Sequence, residues 1–311
     1  MPDSKPSILL VQPHLGVLSA FLESEFTVWR LWEAPPLEAT QQIGALVVAG
    51  EFPVDQSLAE HLPNLGLIAC FTAGYDGVDL AWASARGLKV SHSPGVNHED
   101  VADHAIGLML AAWRGLLEGD AIVRGGRWVA TEKRITPSLG GRRLGIVGLG
   151  AIGKAIARRA EAFGLGVAWW APREQPDAPW PRAESLQALA ADSDILVVAA
   201  RATDENRGMI DAGVLEALGP HGLLVNVARG QLVDEAALID ALRSSRLGMA
   251  ALDVFETEPT TAARWESVPN VVLSPHTAGA TSAAIPKMVA LTRENLRRFF
   301  AGEPLVNPLV G

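Results

Sequence analysis

Three polar residues close apolar runs in the second half of the sequence: Arg229 in NVARG, Glu258 in LDVFETEP and His276 in SPHTAG. Reduction of a ketone by hydride transfer needs a proton donor for the new alkoxide, a cation to hold and polarise an anionic substrate, and a carboxylate to keep the donor protonated. His276, Arg229 and Glu258 supply one of each. Singly, each has a plainer reading: a hydrogen-bonded structural histidine, an arginine capping a turn or lying on the surface, and a Glu-Pro turn. Together, at the carboxyl edge of one sheet, they point to an active site.

The elements that must position them are legible. Residues 144–173, LGIVGLGAIGKAIARRAEAFGLGVAWWAPR, read as strand, glycine turn, amphipathic helix and second strand. In Gly148-x-Gly150-x-x-Gly153, one glycine makes the tight turn, one admits a pyrophosphate and one lets helix pack on strand. The turn, with Leu149, Ala151 and Ile152 between its glycines, is therefore predicted to bind a dinucleotide at a helix N-terminus. Further apolar runs at 194–200, 222–228, 249–255 and 270–276 predict a parallel sheet with helices on both sides and ligands beyond the strand ends. Runs at 7–11, 45–50, 65–72 and 88–93, separated by polar, helix-compatible stretches, predict a second, smaller α/β domain. Residues 97–115 read as a long helix with Asn97 as N-cap. It is apolar on more than one face, which predicts burial between the domains or against another subunit. Residues 119–141 read as an extended arm, and 281–301 as a final helix with Pro286 near its start or at a kink.

Composition narrows the function classes. With 311 residues and 49% hydrophobic content, two domains are expected. The 26 basic and 35 acidic side chains leave a net charge of −9 without a basic stripe, which disfavours nucleic acid or an anionic membrane as partner. The single cysteine, Cys70, sits in the apolar run LGLIACFT and reads as an inert core thiol, so a reducing, cytoplasmic setting is expected. No membrane span, leader or metal site is expected.

The sequence resembles the D-isomer-specific 2-hydroxyacid dehydrogenases, and within them the glyoxylate/hydroxypyruvate and hydroxyphenylpyruvate reductase branch. The resemblance rests on TAGYDGVDL at 72–80, VNHEDVADHAIGLMLA at 96–111, GLGAIG at 148–153, NVARGQLVDEAAL at 226–238, AALDVFETEP at 250–259 and SPHTAGAT at 274–281. The Arg-to-Glu spacing of 29 (258 minus 229) and Glu-to-His spacing of 18 (276 minus 258) are also similar. It implies two doubly wound parallel-sheet domains: a flavodoxin-like substrate domain (1–95 and 281–311) and a Rossmann-type cofactor domain (96–280). It further implies that Arg229 binds the substrate, His276 is the general acid and Glu258 bonds its imidazole. The N–H groups of Ala73 and Gly74 are implied to hold the substrate carboxylate, with a simple turn as the alternative. Asp253 is implied to accept from the nicotinamide carboxamide, with a solvated strand-end acid as the alternative. Val227, Ala228 and Gly279 join the implied cofactor contacts, and a homodimer built on 97–115 and the arm around Trp128 is implied.

Two departures bear on the cofactor. Pro172-Arg173 stands where an NAD signature has an acid for the ribose 2′-OH, so NADP(H) is expected to be preferred over NAD(H), which stays possible; Glu174 could partly neutralise Arg173. In VVAARATDEN, Arg201 and Asn206 replace a proline and a threonine common in relatives, and Arg201 could contact phosphate, stack on adenine or be neutral. The expected reaction is NADPH-dependent reduction of a small 2-keto acid, glyoxylate or hydroxypyruvate, to the D-2-hydroxy acid. Alternatives are NADH, a bulkier aromatic keto acid such as hydroxyphenylpyruvate, or a cofactor-sensing, corepressor-like binding protein.

Overall fold

The computed structural model describes residues 5–131 and 135–310. The chain divides into two compact units, residues 1–97 with 280–311 and residues 98–279.

The first unit holds β1 (Ser7–Leu10), β2 (Thr27–Arg30), β3 (Ile43–Val48), β4 (Leu67–Cys70), β5 (Lys89–Ser91) and β12 (Pro308–Val310) in the order β12-β5-β4-β3-β1-β2. All pairs are parallel except β12 with β5. β1, β3 and β4 are buried throughout, because the sheet is covered on both faces. Two strands escaped the apolar-run reading. β2, TVWR, is only half-buried along its length, and β12 is a short edge strand opened by a proline, which an edge tolerates. The final helix, Ala284–Phe300, begins later than expected. Thr281 accepts from the N–H of Ala284 and Ile285, and Pro286 sits in the first turn, where its missing N–H costs nothing.

The second unit holds β6 (Arg143–Val147), β7 (Gly166–Trp170), β8 (Ile195–Val198), β9 (Leu223–Asn226), β10 (Met249–Leu252) and β11 (Val271–Leu273), all parallel, in the order β11-β10-β9-β8-β6-β7. The order reverses between β6 and β8, which opens a crevice beyond their carboxyl ends. The helix His98–Trp113 packs on the helix Ala151–Ala162 and on β9, β10 and β11. Its broad apolar face, including Val101, Ala105, Met109 and Trp113, is thus used within its own unit. Contacting a helix on one side and a sheet on the other requires apolar residues over a wide arc. From the helix Ala151–Ala162, Arg159 reaches across to Glu99 (2.6 Å) and Asp103 (2.7 Å). The 119–141 stretch is not one extended arm: a helix spans Leu116–Arg124, and residues 132–134 lie outside the described residues. Among the described residues, no helix is long and apolar enough to cross a membrane.

Candidate active site

Three glycines shape the turn after β6, each for its own reason. Gly148 has φ +93°, and a Cβ there would lie 2.6 Å from the Cα of Ala200, which follows β8. A Cβ on Gly153 would lie 2.1 Å from the carbonyl oxygen of Gly148, so only glycine lets the helix start so close to the turn. A Cβ on Gly150 would meet nothing within 4 Å, and Gly150 caps the helix whose first N–H groups lack intrahelical partners. Open space beside free helical N–H groups suits the diphosphate of a dinucleotide. Leu149 is a core side chain whose carbonyl accepts from Gln175 (3.0 Å), so only its backbone can face a ligand, whereas Ile152 packs on the core but is only partly buried.

Beyond β7, Pro172 and Arg173 are exposed. Glu174 does not neutralise its neighbour: its nearest guanidinium is Arg182, at 3.7 Å, and among the described residues no carboxylate pairs with Arg173. Arg182 also donates to the Ala171 carbonyl (2.9 Å), placing a second guanidinium at the end of β7 that no sequence pattern announced. Asn206 is committed elsewhere. Its Oδ1 accepts from the Thr203 N–H (2.8 Å) and its Nδ2 donates to the Arg201 carbonyl (2.8 Å), which closes a tight turn and leaves Arg201 exposed.

Arg229 follows β9 on a loop that cannot be built otherwise. Asn226, 1% exposed, accepts from the Ala228 N–H (3.0 Å) and donates to the Arg229 carbonyl (2.9 Å). A Cβ on Gly230 would lie 1.8 Å from the carbonyl carbon of Phe255, so the Arg-Gly pair permits close approach to the segment after β10. Val227 and Ala228 are buried, and the Ala228 carbonyl accepts from Nη1 of Arg229 (2.7 Å). Asn226 was missed as a site residue, although a polar residue ending an apolar strand is the signal that finds it.

Glu258 bridges two parts of the site. Oε1 accepts from the Phe255 N–H (2.9 Å), and Oε2 lies 2.6 Å from Nδ1 of His276. Burial works to raise the Glu258 pKa, but the hydrogen bonds from His276 and Phe255, with the charges of His276 and Arg229, hold it below the usual carboxylate value. The three residues picked from the sequence are therefore electrostatically coupled. Buried Glu235 steadies the same loop by accepting from the Glu256 N–H (3.0 Å) and pairing with Arg264.

His276 has φ +51°, a left-handed conformation costing an L-residue about 1 to 2 kcal/mol. Asp253 holds it there. The Asp253 carboxylate is fully buried, so the solvated-acid alternative fails, and it accepts from the Ser274 hydroxyl and from the N–H groups of Thr277 (3.0 Å) and Ala278 (2.9 Å). Its carbonyl accepts from the His276 N–H (2.8 Å). Hydrogen bonds to a charged group contribute about 1.5 to 3 kcal/mol each, so together they outweigh the strain. Gly279 ends this loop, partly buried.

In the first unit, Ala73 and Gly74 lie on the loop after β4. The Ala73 carbonyl faces Nδ1 of His92 (3.0 Å), and the Gly74 carbonyl accepts from the Thr72 hydroxyl (3.1 Å), which also bonds Glu51 (2.7 Å). A Cβ on Gly50 would lie 2.3 Å from the Gly74 carbonyl oxygen, so the loops after β3 and β4 are tightly apposed. With both carbonyls engaged, and no acceptor facing either N–H among the described residues, the pair of amides is prepared for an anion.

Comparison with known proteins identifies the family. Residues 106–278 match the family described as D-isomer specific 2-hydroxyacid dehydrogenase, NAD binding domain. Glyoxylate/hydroxypyruvate reductase A of Arabidopsis thaliana is 40% identical over 308 residues, covering 97% of this chain and 98% of that protein. Hydroxyphenylpyruvate reductase of Plectranthus scutellarioides is 39% identical, with coverage of 97% and 98%. Among solved structures, the NADPH-dependent glyoxylate/hydroxypyruvate reductase of Sinorhizobium meliloti, in complex with NADP and malonate, superposes with a TM-score of 0.90 at 36% identity, covering 98% of this chain and 97% of that one.

Proposed function

The chain belongs to the D-isomer-specific 2-hydroxyacid dehydrogenases, nicotinamide-dependent oxidoreductases, and on that premise we propose that it reduces glyoxylate or hydroxypyruvate to the D-2-hydroxy acid with NADPH as preferred cofactor. The observation that carries this reading is the 2.6 Å contact between Glu258 and Nδ1 of His276, which turns Nε2 to the opposite side of the ring.

Each residue has a defined task. The reduced nicotinamide, when bound, supplies the hydride. His276 holds a proton on Nε2 and delivers it to the carbonyl oxygen as that oxygen gains charge, while Glu258 fixes the tautomer and favours the protonated ring. Arg229 holds the substrate carboxylate and polarises the carbonyl, and the amides of Ala73 and Gly74 are taken as substrate-binding donors of the first unit. The N-terminal turn of the helix after Gly150 takes the diphosphate, with Gly148, Ala151, Ile152 and Gly153 contributing backbone. Val227, Ala228 and Gly279 line the nicotinamide side of the site, and Asp253, which the resemblance assigned to the carboxamide, is fully buried and instead anchors the 276–278 loop.

Arg173 supports the NADPH preference. It is an exposed guanidinium without an ion-pair partner among the described residues, at the end of the strand where a 2′-phosphate sits in this fold. The name of the Plectranthus relative keeps hydroxyphenylpyruvate as the second substrate reading. Initial rates with glyoxylate, hydroxypyruvate and hydroxyphenylpyruvate, each with NADPH and NADH, test both points. The expected result is faster turnover of the small acids with NADPH and a D-configured product from hydroxypyruvate; no turnover of any 2-keto acid overturns the reading. The exposed Leu116, Leu117, Val123, Trp128 and Val129 support a homodimer, and Trp128→Glu should then shift sedimentation toward the monomer.

A further inference from the structure

The buried carboxylate of Asp253 has one more neighbour. His104, on the helix His98–Trp113, places Nε2 2.9 Å from the Ser274 hydroxyl and 3.2 Å from Oδ1 of Asp253. The Ser274 hydroxyl donates to that same Oδ1. A chain of polar contacts therefore runs from the helix through Ser274 to Asp253, and on to the N–H groups of Thr277 and Ala278. The residue at the centre of that backbone segment is His276, at positive φ.

We propose that His104 is a positioning residue: acting through Ser274, it orients the Asp253 carboxylate, which holds the 276–278 backbone in the conformation that aims the His276 ring. The loop backbone is also tied to β10 and the residue after it, through the Ser274 N–H on the Leu252 carbonyl (2.9 Å) and the His276 N–H on the Asp253 carbonyl (2.8 Å), and His104 adds a link from a second element. The strained loop has no regular secondary structure of its own, and the 3-residue strand before it, β11, is an edge strand only partly buried. Helix His98–Trp113, by contrast, is buried on a wide face and pinned by Arg159, so it is a rigid platform from which a single imidazole can fix the loop. Buried polar networks specify a unique geometry when every member is satisfied, and they loosen when one partner is removed.

The inference rests on the proposed role of His276, but its central claim is structural and is read without catalysis. In His104→Ala and Ser274→Ala, hydrogen exchange should quicken at residues 274–279 and stay unchanged over β8 and β9. In the assay, kcat should fall by about tenfold to a hundredfold, as a small misplacement of a reacting group does. The Kd for NADPH, read by tryptophan quenching, should move less than about threefold, since a catalytic-step defect leaves binding intact. His104→Gln, which can place an N–H near Ser274, should recover most of the rate. The double variant should be no worse than the poorer single variant, because coupled residues are not additive. Unchanged exchange at 274–279 overturns the proposal, as does exchange that rises throughout residues 98–279 with a lower Tm, which would make His104 a packing residue only. If the loop loosens as expected but no 2-keto acid is turned over by the parent protein, the functional reading fails and the positioning link stands.

Discussion

The two sheets are wound alike, and the same places in them do different work. β1, β2, β3, β4 and β5 of the first unit stand in the same order as β6, β7, β8, β9 and β10 of the second. After β6 comes the glycine turn opening a 12-residue helix; after β1 come Gln12 and Pro13 and a short 3-10 helix, with the Gln12 side chain spent on the Ala49 N–H (2.9 Å). Arg30 ends β2 bound to Glu23 (2.7 Å) and Glu33 (3.5 Å), whereas Arg173, just past β7, has no such partner among the described residues. After β4 the loop presents main-chain amides at Ala73 and Gly74; after β9 it presents the side chain of Arg229. Topology alone thus assigns no chemistry. The second unit offers coupled charged side chains, the first a shaped stretch of backbone.

That contrast can be broken by experiment. If chemistry resides in side chains of the second unit, His276→Ala should lower kcat by at least about a hundredfold with cofactor affinity kept, as loss of a general acid does. His92→Ala, which removes the imidazole supporting the Ala73 carbonyl, should cost less than about tenfold and act on KM for the keto acid; equal losses in steady-state kinetics would erase the distinction. Arg173→Ala should weaken NADPH by about tenfold to a hundredfold, the size of a lost charge-assisted bond, and leave NADH nearly unchanged. Equal weakening of both cofactors would remove Arg173 from phosphate recognition. Gly50→Ala sharpens the reading of the first unit: a Cβ 2.3 Å from the Gly74 carbonyl must displace that loop, so KM for the keto acid should rise about tenfold while the Kd of NADPH holds. An unchanged KM would separate that loop from the substrate.

The smallest effect concerns pH. The Glu258 pKa lies below the usual 4.5, so its contribution to stability is complete above that value and is lost as pH falls through the lowered native one. The Tm difference between the parent protein and Glu258→Gln should be largest near neutrality and shrink in acid. A difference independent of pH would detach the Glu258 carboxylate from its folded partners.

Much of the fold was legible because parallel strands covered on both faces are written as unbroken apolar runs, and because a glycine turn between strand and helix has few other uses. β2 and β12 were not legible, since half-buried edge strands carry no such run. The helix Leu116–Arg124 was hidden by the interior Gly119 and by an exposed apolar surface without a clean period. Arg229, Glu258 and His276 could be selected as residue types with complementary chemistry, and Arg173 as a missing acid.

Sequence alone thus determined the fold class, the dinucleotide turn and which side chains are candidates for chemistry, because these depend on local periodicity and residue type. Only the tertiary structure decided that Asp253 is a buried anchor, that Asn206 is consumed in its own turn, that Glu174 faces Arg182, and that Asn226, Ser274 and His104 support the site. Hydrogen bonds between residues as far apart as 104 and 274 depend on where the folded backbone places them, and that information is not local to any stretch of sequence.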